Sequence, residues 1–168
     1  SRDTLRGSPP IRITETVQID RPPSDVWEVV TDLESHPRWR PSVREFRQVS
    51  EGPLEVGSRI REVLEWRGRE IRLADEVTAL DPRRRLGILG GWKAADFDLE
   101  LLLEPRGTGT VVTFDWTLRP RSLLMRAAAP WLKRSFERAT AEEADGLRRH
   151  VEGSADAASE AAPRPKRL

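Results

Sequence analysis

The clearest pattern of apolar and polar positions lies near the end of the chain, over residues 122–152. Apolar or small side chains recur there at intervals of three and four residues, the spacing that keeps them on one face of a helix. They are Leu124, Ala128, Trp131, Leu132, Phe136, Thr140, Ala144, Leu147 and Val151. The pattern predicts one helix of about 30 residues, capped by Ser122 and stopped by Gly153. Pro130 removes a backbone donor and predicts a kink near the start of this helix.

Most of the preceding chain alternates between apolar and polar residues with a period of two, which is typical of strands that bury one face. The predicted strands span residues 11–20, 43–50, 59–66, 70–80, 85–92, 97–104 and 110–118. Pro22 and Pro23 begin a helix after the first strand, and this helix is predicted to end near Ser35. Residues 36–41 are predicted to form a loop or a short helical turn.

Charged side chains fall on one face of the predicted sheet and apolar side chains on the other, as in antiparallel sheets with one solvated face. A long amphipathic helix that follows such a sheet buries its stripe by lying across the apolar face. The sequence therefore predicts an α+β domain over residues 11–153, in which a strongly curved seven-stranded antiparallel sheet wraps the last helix. Residues 1–10 are predicted to be a flexible lead and residues 154–168 a disordered tail.

Composition excludes several classes of function. Charged residues make up 34% of the chain but the net charge is only +1, so no general attraction to nucleic acid or to an anionic membrane is expected. The chain has no cysteine, which rules out disulfides and thiolate chemistry. It has no apolar run long enough for a membrane span and no dinucleotide, phosphate or metal-ligand motif. We therefore expect a cytoplasmic monomer or homodimer without a cofactor or a metal.

Three segments resemble the helix-grip superfamily, which includes polyketide cyclases, START-type lipid-transfer domains and plant allergens. They are DVWEVVTDLESHPRWRPSV at residues 25–43, LDPRRRLGILGGW at residues 80–92 and GTGTVVTFDW at residues 107–116. The resemblance covers roughly residues 11–152 and is closest to the bacterial polyketide cyclase/dehydrase group. It implies the helix-grip fold, with two short helices after the first strand and a long C-terminal helix packed across the sheet. Because one fold hosts many activities, it predicts architecture more strongly than function.

The resemblance also implies an apolar cavity between the curved sheet and the last helix, in which members hold lipids, polyketides, sterols or hormones. The residues expected to contact such a ligand are Trp66, Leu73, Trp92, Phe97, Leu99, Phe114, Trp116, Leu124, Ala128, Trp131, Phe136, Thr140 and Ala144. Two interpretations of Trp66, Trp92 and Trp116 remain open. They line the cavity and stack on a planar ligand, or they fill the core against the small helix positions.

Small residues occupy the middle of the helix stripe, namely Ala139, Thr140, Ala144 and Gly146. They either let the helix approach its neighbours closely or leave a hollow beneath it. Given the cavity that the resemblance implies, Ala139, Thr140 and Ala144 are predicted to form its floor and residues 124–131 its mouth.

Three acidic residues interrupt the apolar face of the predicted sheet, namely Glu15, Glu62 and Asp75. An acid in an apolar wall has a raised pKa and can serve as a general acid or base in dehydration or enolisation. Alternatively, each acid is paired with one of the many arginines, or a bulge reverses the local alternation. His36, expected at the cavity rim, is the remaining catalytic candidate, and His150 is expected in the last turn of the long helix.

Three functions stay open. The first is a binding domain for a hydrophobic, polyketide- or lipid-like molecule, whose catalytic form is a cyclase or dehydratase of secondary metabolism. The second is a non-catalytic carrier of a lipid or isoprenoid, and the third is a structural domain whose tryptophans fill the interior. A void of about 300 Å³ or more beneath the long helix supports either ligand-binding hypothesis, and a close-packed interior excludes both.

Overall fold

One antiparallel sheet of seven strands is the framework of the computed structural model, which describes residues 9–161. The strands are β1 (Ile11–Ile19), β2 (Val43–Gln48), β3 (Arg59–Trp66), β4 (Arg69–Asp81), β5 (Arg85–Gly91), β6 (Ala95–Arg106) and β7 (Gly109–Pro120). Their order across the sheet is β1-β7-β6-β5-β4-β3-β2, so every neighbouring pair except β1 and β7 is consecutive in the chain. The seven predicted strands and their antiparallel arrangement are confirmed.

Cross-strand pairing decides where the strands end. β6 and β7 are both longer than the alternation predicted, because their ladder continues until Ala95 lies opposite Pro120. The predicted separation of faces holds across the sheet, since one row of paired inward positions is entirely apolar. That row consists of Ile13, Trp116, Leu99, Ile88 and Val77.

Two short helices connect β1 to β2, as predicted. The first, α1 (Pro23–Thr31), begins with a proline at its first position, where the missing backbone donor costs nothing. Val26 and Val30, one turn apart, are both fully buried. The first helix ends at Thr31, before the predicted end near Ser35. The second is a 3-10 helix (Leu33–Arg38), which agrees with the short helical turn predicted as the alternative to a loop. It carries Pro37 inside its span, because a short 3-10 segment loses little from one missing donor.

The predicted helix of residues 122–152 is two helices, α2 (Leu123–Ala127) and α3 (Ala129–Ala161). Ser122 caps the first of them as predicted, since its Oγ accepts a hydrogen bond from the backbone N–H of Met125 at 3.2 Å. The interruption falls at Ala128, whose ψ of 1° leaves the helical range. Pro130 follows two residues later and cannot donate to the preceding turn, so the predicted kink is a complete break.

Gly153 does not stop α3, and this prediction was wrong. The helix continues to Ala161 because the residues after Gly153 are rich in alanine, the best helix former, which outweighs the cost of one glycine. A contact with the segment that follows β1 supports the extension, since Arg21 pairs with Asp156 at 2.7 Å. One turn earlier in α3, Glu152 accepts a hydrogen bond from the backbone N–H of Asp20 at 3.0 Å. The tail predicted as disordered is therefore helical over residues 154–161.

Parts of two further predictions lie outside the described residues. The flexible lead was predicted over residues 1–10, of which only 9 and 10 are described, and residues 162–168 of the predicted tail are likewise outside. Among the helices of the described chain, none is both long and apolar enough to cross a membrane.

The two halves of α3 meet different surroundings. In the C-terminal half, Leu147 and Val151 are buried in a solid core with α1 and β1. Gly146 lets this half of α3 also lie directly against the loop before β2, because a Cβ atom there would overlap the carbonyl oxygen of Trp39. In the N-terminal half, small residues such as Ala139 face a hollow. Both expectations for the small helix positions are thus met, at different points along the helix.

Candidate functional site

A cavity of about 330 Å³ lies between the inward face of the sheet and the helices α2 and α3. This volume exceeds the value of about 300 Å³ above which ligand binding is favoured over a close-packed interior. Its walls are almost entirely apolar or aromatic, and come from β3, β4, β6, β7 and the two helices. The lining residues are Arg40, Ser42, Glu62, Leu64, Glu65, Trp66, Ile71, Leu73, Trp92, Ala94, Phe97, Trp116, Met125, Ala128, Trp131, Leu132, Ser135, Phe136, Ala139, Thr140 and Glu143.

Most of the residues predicted to contact a ligand border this cavity. They are Trp66, Leu73, Trp92, Phe97, Trp116, Ala128, Trp131, Phe136 and Thr140. Four others do not line it. Phe114 and Ala144 are each 2% exposed and belong to the solid core, Leu99 packs against that core outside the cavity, and Leu124 is 78% exposed on the outside of α2. Ala144 is therefore not part of the floor, which Ala139 and Thr140 do form.

Aromatic side chains line the mouth of the cavity. Trp66, at the end of β3, meets Trp131 of α3 edge to face, with ring centroids 5.6 Å apart. The guanidinium of Arg67 lies over both rings, 5.2 Å from the centroid of Trp66 and 4.8 Å from that of Trp131. Farther along the wall, the ring of Trp92 stacks on that of Phe136 at 6.3 Å. These rings offer flat apolar surfaces on which a planar molecule can stack.

The inner end of the cavity carries a buried ionic cluster. Arg40, which follows the 3-10 helix, donates from Nη2 to Oε1 of Glu62 on β3 at 2.7 Å. Its Nε lies 3.3 Å from Oε1 of Glu143 on α3. The Arg40 side chain is 8% exposed, that of Glu62 4% and that of Glu143 13%. One guanidinium thus joins the loop, the sheet and the helix beneath the apolar cavity.

The charges in this cluster perturb one another. Burial opposes ionisation of Arg40, but the two carboxylates outweigh burial and hold the pKa of Arg40 above its usual range. Burial raises the pKa of Glu143, and the charge of Glu62 adds to that rise, whereas Arg40 opposes it. Buried charges of this kind are stable only when paired, so the three side chains depend on each other.

Asp75 lies behind the cavity wall rather than on it. It is 3% exposed, and neither carboxyl oxygen has a hydrogen-bond partner among residues 9–161. Gly90 on β5 makes room for it, because a Cβ atom at that position would overlap Oδ1 of Asp75. Burial, and then the nearby charge of Glu62, raise the pKa of Asp75 to about 9. The side chain is therefore a neutral carboxylic acid at neutral pH.

His36 is buried instead of lying at the cavity rim, and that prediction was wrong. Its ring stacks on Phe46 at 4.2 Å, and its Nε2 donates to the carbonyl oxygen of Val30 at 2.9 Å. Its Nδ1 lies 3.5 Å from Nη1 of Arg40, so it accepts from the guanidinium. Burial, and then the charge of Arg40, hold the pKa of His36 well below its usual value. A neutral His36 therefore positions Arg40 and does not border the cavity.

Glu15 and His150 take no part in the cavity. Glu15 is half-buried on β1, opposite Phe114 of β7, and does not line the cavity. His150 lies within α3 and not in its last turn, because the helix continues to Ala161. Of the predicted acids, only Glu62 faces the cavity, and it is paired with an arginine there.

Sequence reasoning missed Arg40 and Glu143. Arg40 lies in the loop that follows a short helix, where no periodicity marks a side chain as inward. Glu143 carries a recognisable signal, since it continues the helix spacing of Phe136, Thr140 and Leu147 on the apolar face. Because buried charges are normally paired, a glutamate on that apolar stripe indicates a buried basic partner, as Glu62 does on the sheet.

No group of three or more His, Asp or Glu side chains with metal-binding geometry occurs within the described residues. The inner cluster is instead an ionic group built around a guanidinium. It presents a guanidinium and two carboxyl groups that engage one another through hydrogen bonds and ion pairs.

Known structures with this architecture are numerous. The chain is similar to the TTHA0849 protein of Thermus thermophilus, with a TM-score of 0.74 and 18% identity over 85% of this chain and 98% of the other. A START superfamily protein of Mycobacterium smegmatis gives a TM-score of 0.73 and 16% identity over 84% and 97% of the two chains. The Zhui aromatase/cyclase of Streptomyces sp. R1128 gives 0.73 and 17% over 84% and 93%. These likenesses confirm the helix-grip fold.

Sequence comparison identifies the family. No curated protein matches the chain significantly. A sequence profile described as polyketide cyclase / dehydrase and lipid transport matches residues 10–152, which is nearly the whole domain. The seven-stranded sheet, the long C-terminal helix and the cavity between them agree with that match. The chain is therefore a member of the polyketide cyclase/dehydrase and lipid transport family, within the START-like, helix-grip superfamily.

Proposed function

We propose that this protein binds a hydrophobic small molecule, polyketide- or lipid-like, in the cavity beneath α2 and α3. The observation that carries the proposal is the cavity itself, about 330 Å³ in volume and lined largely by apolar and aromatic side chains. Ligand pockets typically have volumes of about 300–1,000 Å³ and a few polar groups at fixed points. In a purely structural domain, the interior would be close-packed, because an internal void of this size lowers the stability of the fold.

The shape of the walls supports a planar apolar ligand. Trp92 and Phe136 lie nearly parallel, with an angle of 21° between their rings. Phe97 of β6 and Trp116 of β7 meet edge to face, with ring centroids 5.3 Å apart. Such surfaces favour aromatic or fused-ring molecules, because stacking adds to the gain from burial of apolar area.

A substitution that fills the cavity tests the proposal. Ala139→Trp places an indole ring in the void and is expected to lower affinity for the neutral fluorescent probe N-phenyl-1-naphthylamine by about tenfold or more. Ala141→Trp is the matched control, because Ala141 is exposed on the same helix. Equal probe uptake by both variants and the wild type, measured by titration of probe emission, would show that binding occurs elsewhere. Native mass spectrometry of the purified protein would reveal a co-purified ligand.

Glu62 makes cyclisation or dehydration a second candidate function. It is the one predicted acid that lines the cavity, and Arg40 fixes its position through Oε1. In a dehydration, its carboxylate would take a proton from the carbon beside a ligand carbonyl. The carbon–oxygen bond of a β-hydroxyl would then break, a carbon–carbon double bond would form, and the same proton would leave with the hydroxyl as water.

A simple β-hydroxy ketone separates catalysis from carriage. With 4-hydroxy-4-phenylbutan-2-one, an enzyme would generate the conjugated enone, which absorbs in the near ultraviolet. Glu62→Gln would then lower turnover by about 100-fold while probe binding is retained. Probe binding without any turnover, in the wild type as in the variant, would favour the non-catalytic carrier over this reaction.

A further inference from the structure

The charged groups that line the cavity are unbalanced. Arg40 is the single cationic side chain among the lining residues, whereas Glu62, Glu65 and Glu143 are acidic. Glu65 lies towards the exposed end and pairs with Arg44 at 2.9 Å, outside the cavity. The buried end therefore holds one guanidinium against two carboxyl groups, and it offers no unneutralised positive charge to a ligand.

The hydrogen-bonding capacity of Arg40 is also largely used. Its Nη2 donates to Glu62, its Nε faces Glu143, and its Nη1 faces Nδ1 of His36. The two carboxyl groups, by contrast, carry four oxygen atoms, and their contacts with Arg40 involve Oε1 of each. Within the Arg40–Glu62–Glu143 cluster, unused acceptors thus outnumber unused donors. Trp116, which also lines the cavity, adds an Nε1–H without a partner among residues 9–161, but this donor is neutral and supplies no charge.

The consequence differs for neutral and anionic ligands. A hydroxyl group placed there can donate to a carboxylate oxygen, and a charge-assisted hydrogen bond of this kind is about twice as strong as a neutral one. A carboxylate loses its hydration without gaining a cation, and it meets like charge in a poorly screened space. Protonation of Glu143 would lessen the repulsion but would not free a cation for the ligand, because Glu62 still neutralises Arg40.

We infer that the cavity selects neutral, hydroxyl-bearing planar molecules and rejects the same apolar bodies ending in a carboxylate. This inference rests on the proposed binding function and specifies the ligand class. It assigns the Arg40–Glu62–Glu143 cluster a role in ligand selection. Fatty acids and aromatic acids with the acid group inward are excluded, whereas phenols and fused-ring alcohols are accepted.

Four naphthalene probes test the inference by isothermal titration calorimetry at pH 7. 2-Naphthol is expected to bind most tightly, naphthalene and methyl 2-naphthoate more weakly, and 2-naphthoate at least about tenfold more weakly than 2-naphthol. The methyl ester has the shape of the acid without its charge. Rejection of the ester together with the acid would attribute selection to shape and overturn the inference, as would a naphthoate affinity equal to that of naphthol. Failure of all four probes to bind would instead contradict the proposed function.

Two matched variants locate the selectivity. Glu143→Gln removes one carboxylate and is expected to raise 2-naphthoate affinity several-fold while 2-naphthol still binds. Glu142→Gln, at an exposed position of the same helix, serves as the control and should leave both affinities unchanged. Glu62→Gln is a second variant that removes a negative charge from the cluster. Circular dichroism verifies that each variant is folded. Unchanged naphthoate binding in both cluster variants would overturn the inference.

Discussion

Replacing Asp75 with asparagine is expected to stabilise the protein by an amount that grows with pH. In the folded chain the buried carboxyl keeps its proton until about pH 9, whereas the ordinary value for aspartate is 3.8. Between these limits the folded state binds one more proton at this site than the unfolded state does. Stability therefore falls as pH rises through this window, because folding must hold a proton that the unfolded chain has released. Asparagine is neutral throughout and removes that dependence.

The size of the effect follows from the same linkage. A one-proton difference changes the free energy of unfolding by about 1.4 kcal/mol per pH unit. The stability of Asp75→Asn relative to the wild type should therefore rise by about 3 kcal/mol between pH 6 and pH 8. Below the ordinary pKa of 3.8 the Asp75 carboxyl is largely protonated in both the folded and the unfolded chain, so the two proteins should differ least at the acidic end.

Urea denaturation at several pH values between 5 and 8, followed by tryptophan fluorescence, measures this difference. Glu104→Gln is the control, because it removes a carboxyl from an exposed position of β6, and its stability should track that of the wild type. A difference between Asp75→Asn and the wild type that stays constant over this range would mean that Asp75 is ionised in the folded protein. Attraction to Arg40 would then outweigh burial, and Asp75 would carry a third negative charge beside Glu62 and Glu143.

Other substitutions test the packing that holds the site. Arg40→Met leaves the two buried carboxylates without their counter-ion and should lower the free energy of unfolding by about 3–5 kcal/mol, measured by urea denaturation at pH 7. Little or no loss would indicate that the cluster is open to water. Gly146→Ala forces a methyl group against the carbonyl oxygen of Trp39 and should destabilise by about 1–3 kcal/mol. Gly153→Ala, in the same helix with nothing within 4 Å of the added atom, should instead raise the melting temperature, since alanine is the better helix former. A similar response of the two glycine variants would contradict the close contact at Gly146.

Local patterns account for most of the fold. Alternation along each strand placed the seven strands and their inward faces correctly, because the period of two is a property of the extended chain. The predicted ends of the elements were wrong where pairing with another strand, or a high local helix propensity, extended an element. The ladder between β6 and β7 lengthened both strands, and the alanine-rich segment after Gly153 kept α3 helical to Ala161.

The candidate site was predicted less completely. Aromatic cavity residues such as Trp66 and Phe136 were recognisable from their place on an apolar face. Arg40 and Glu143 were not, because a loop has no periodicity and because one charge on an apolar stripe does not reveal its partner. His36 could not be placed either, since its burial depends on Phe46 and Val30 closing around it.

By itself, the sequence determined the order of the elements, the polarity of the sheet faces and the amphipathic stripe of the last helix. These follow from backbone geometry and from the spacing of side chains along each segment. The tertiary structure alone decided that the interior is hollow. Gly146 lets α3 lie directly against the backbone of Trp39, and the small residues towards the N-terminus of α3 leave space instead of filling it. It also decided the polarity of that space, by bringing together Arg40, Glu62 and Glu143 from a loop, a strand and a helix far apart in the chain.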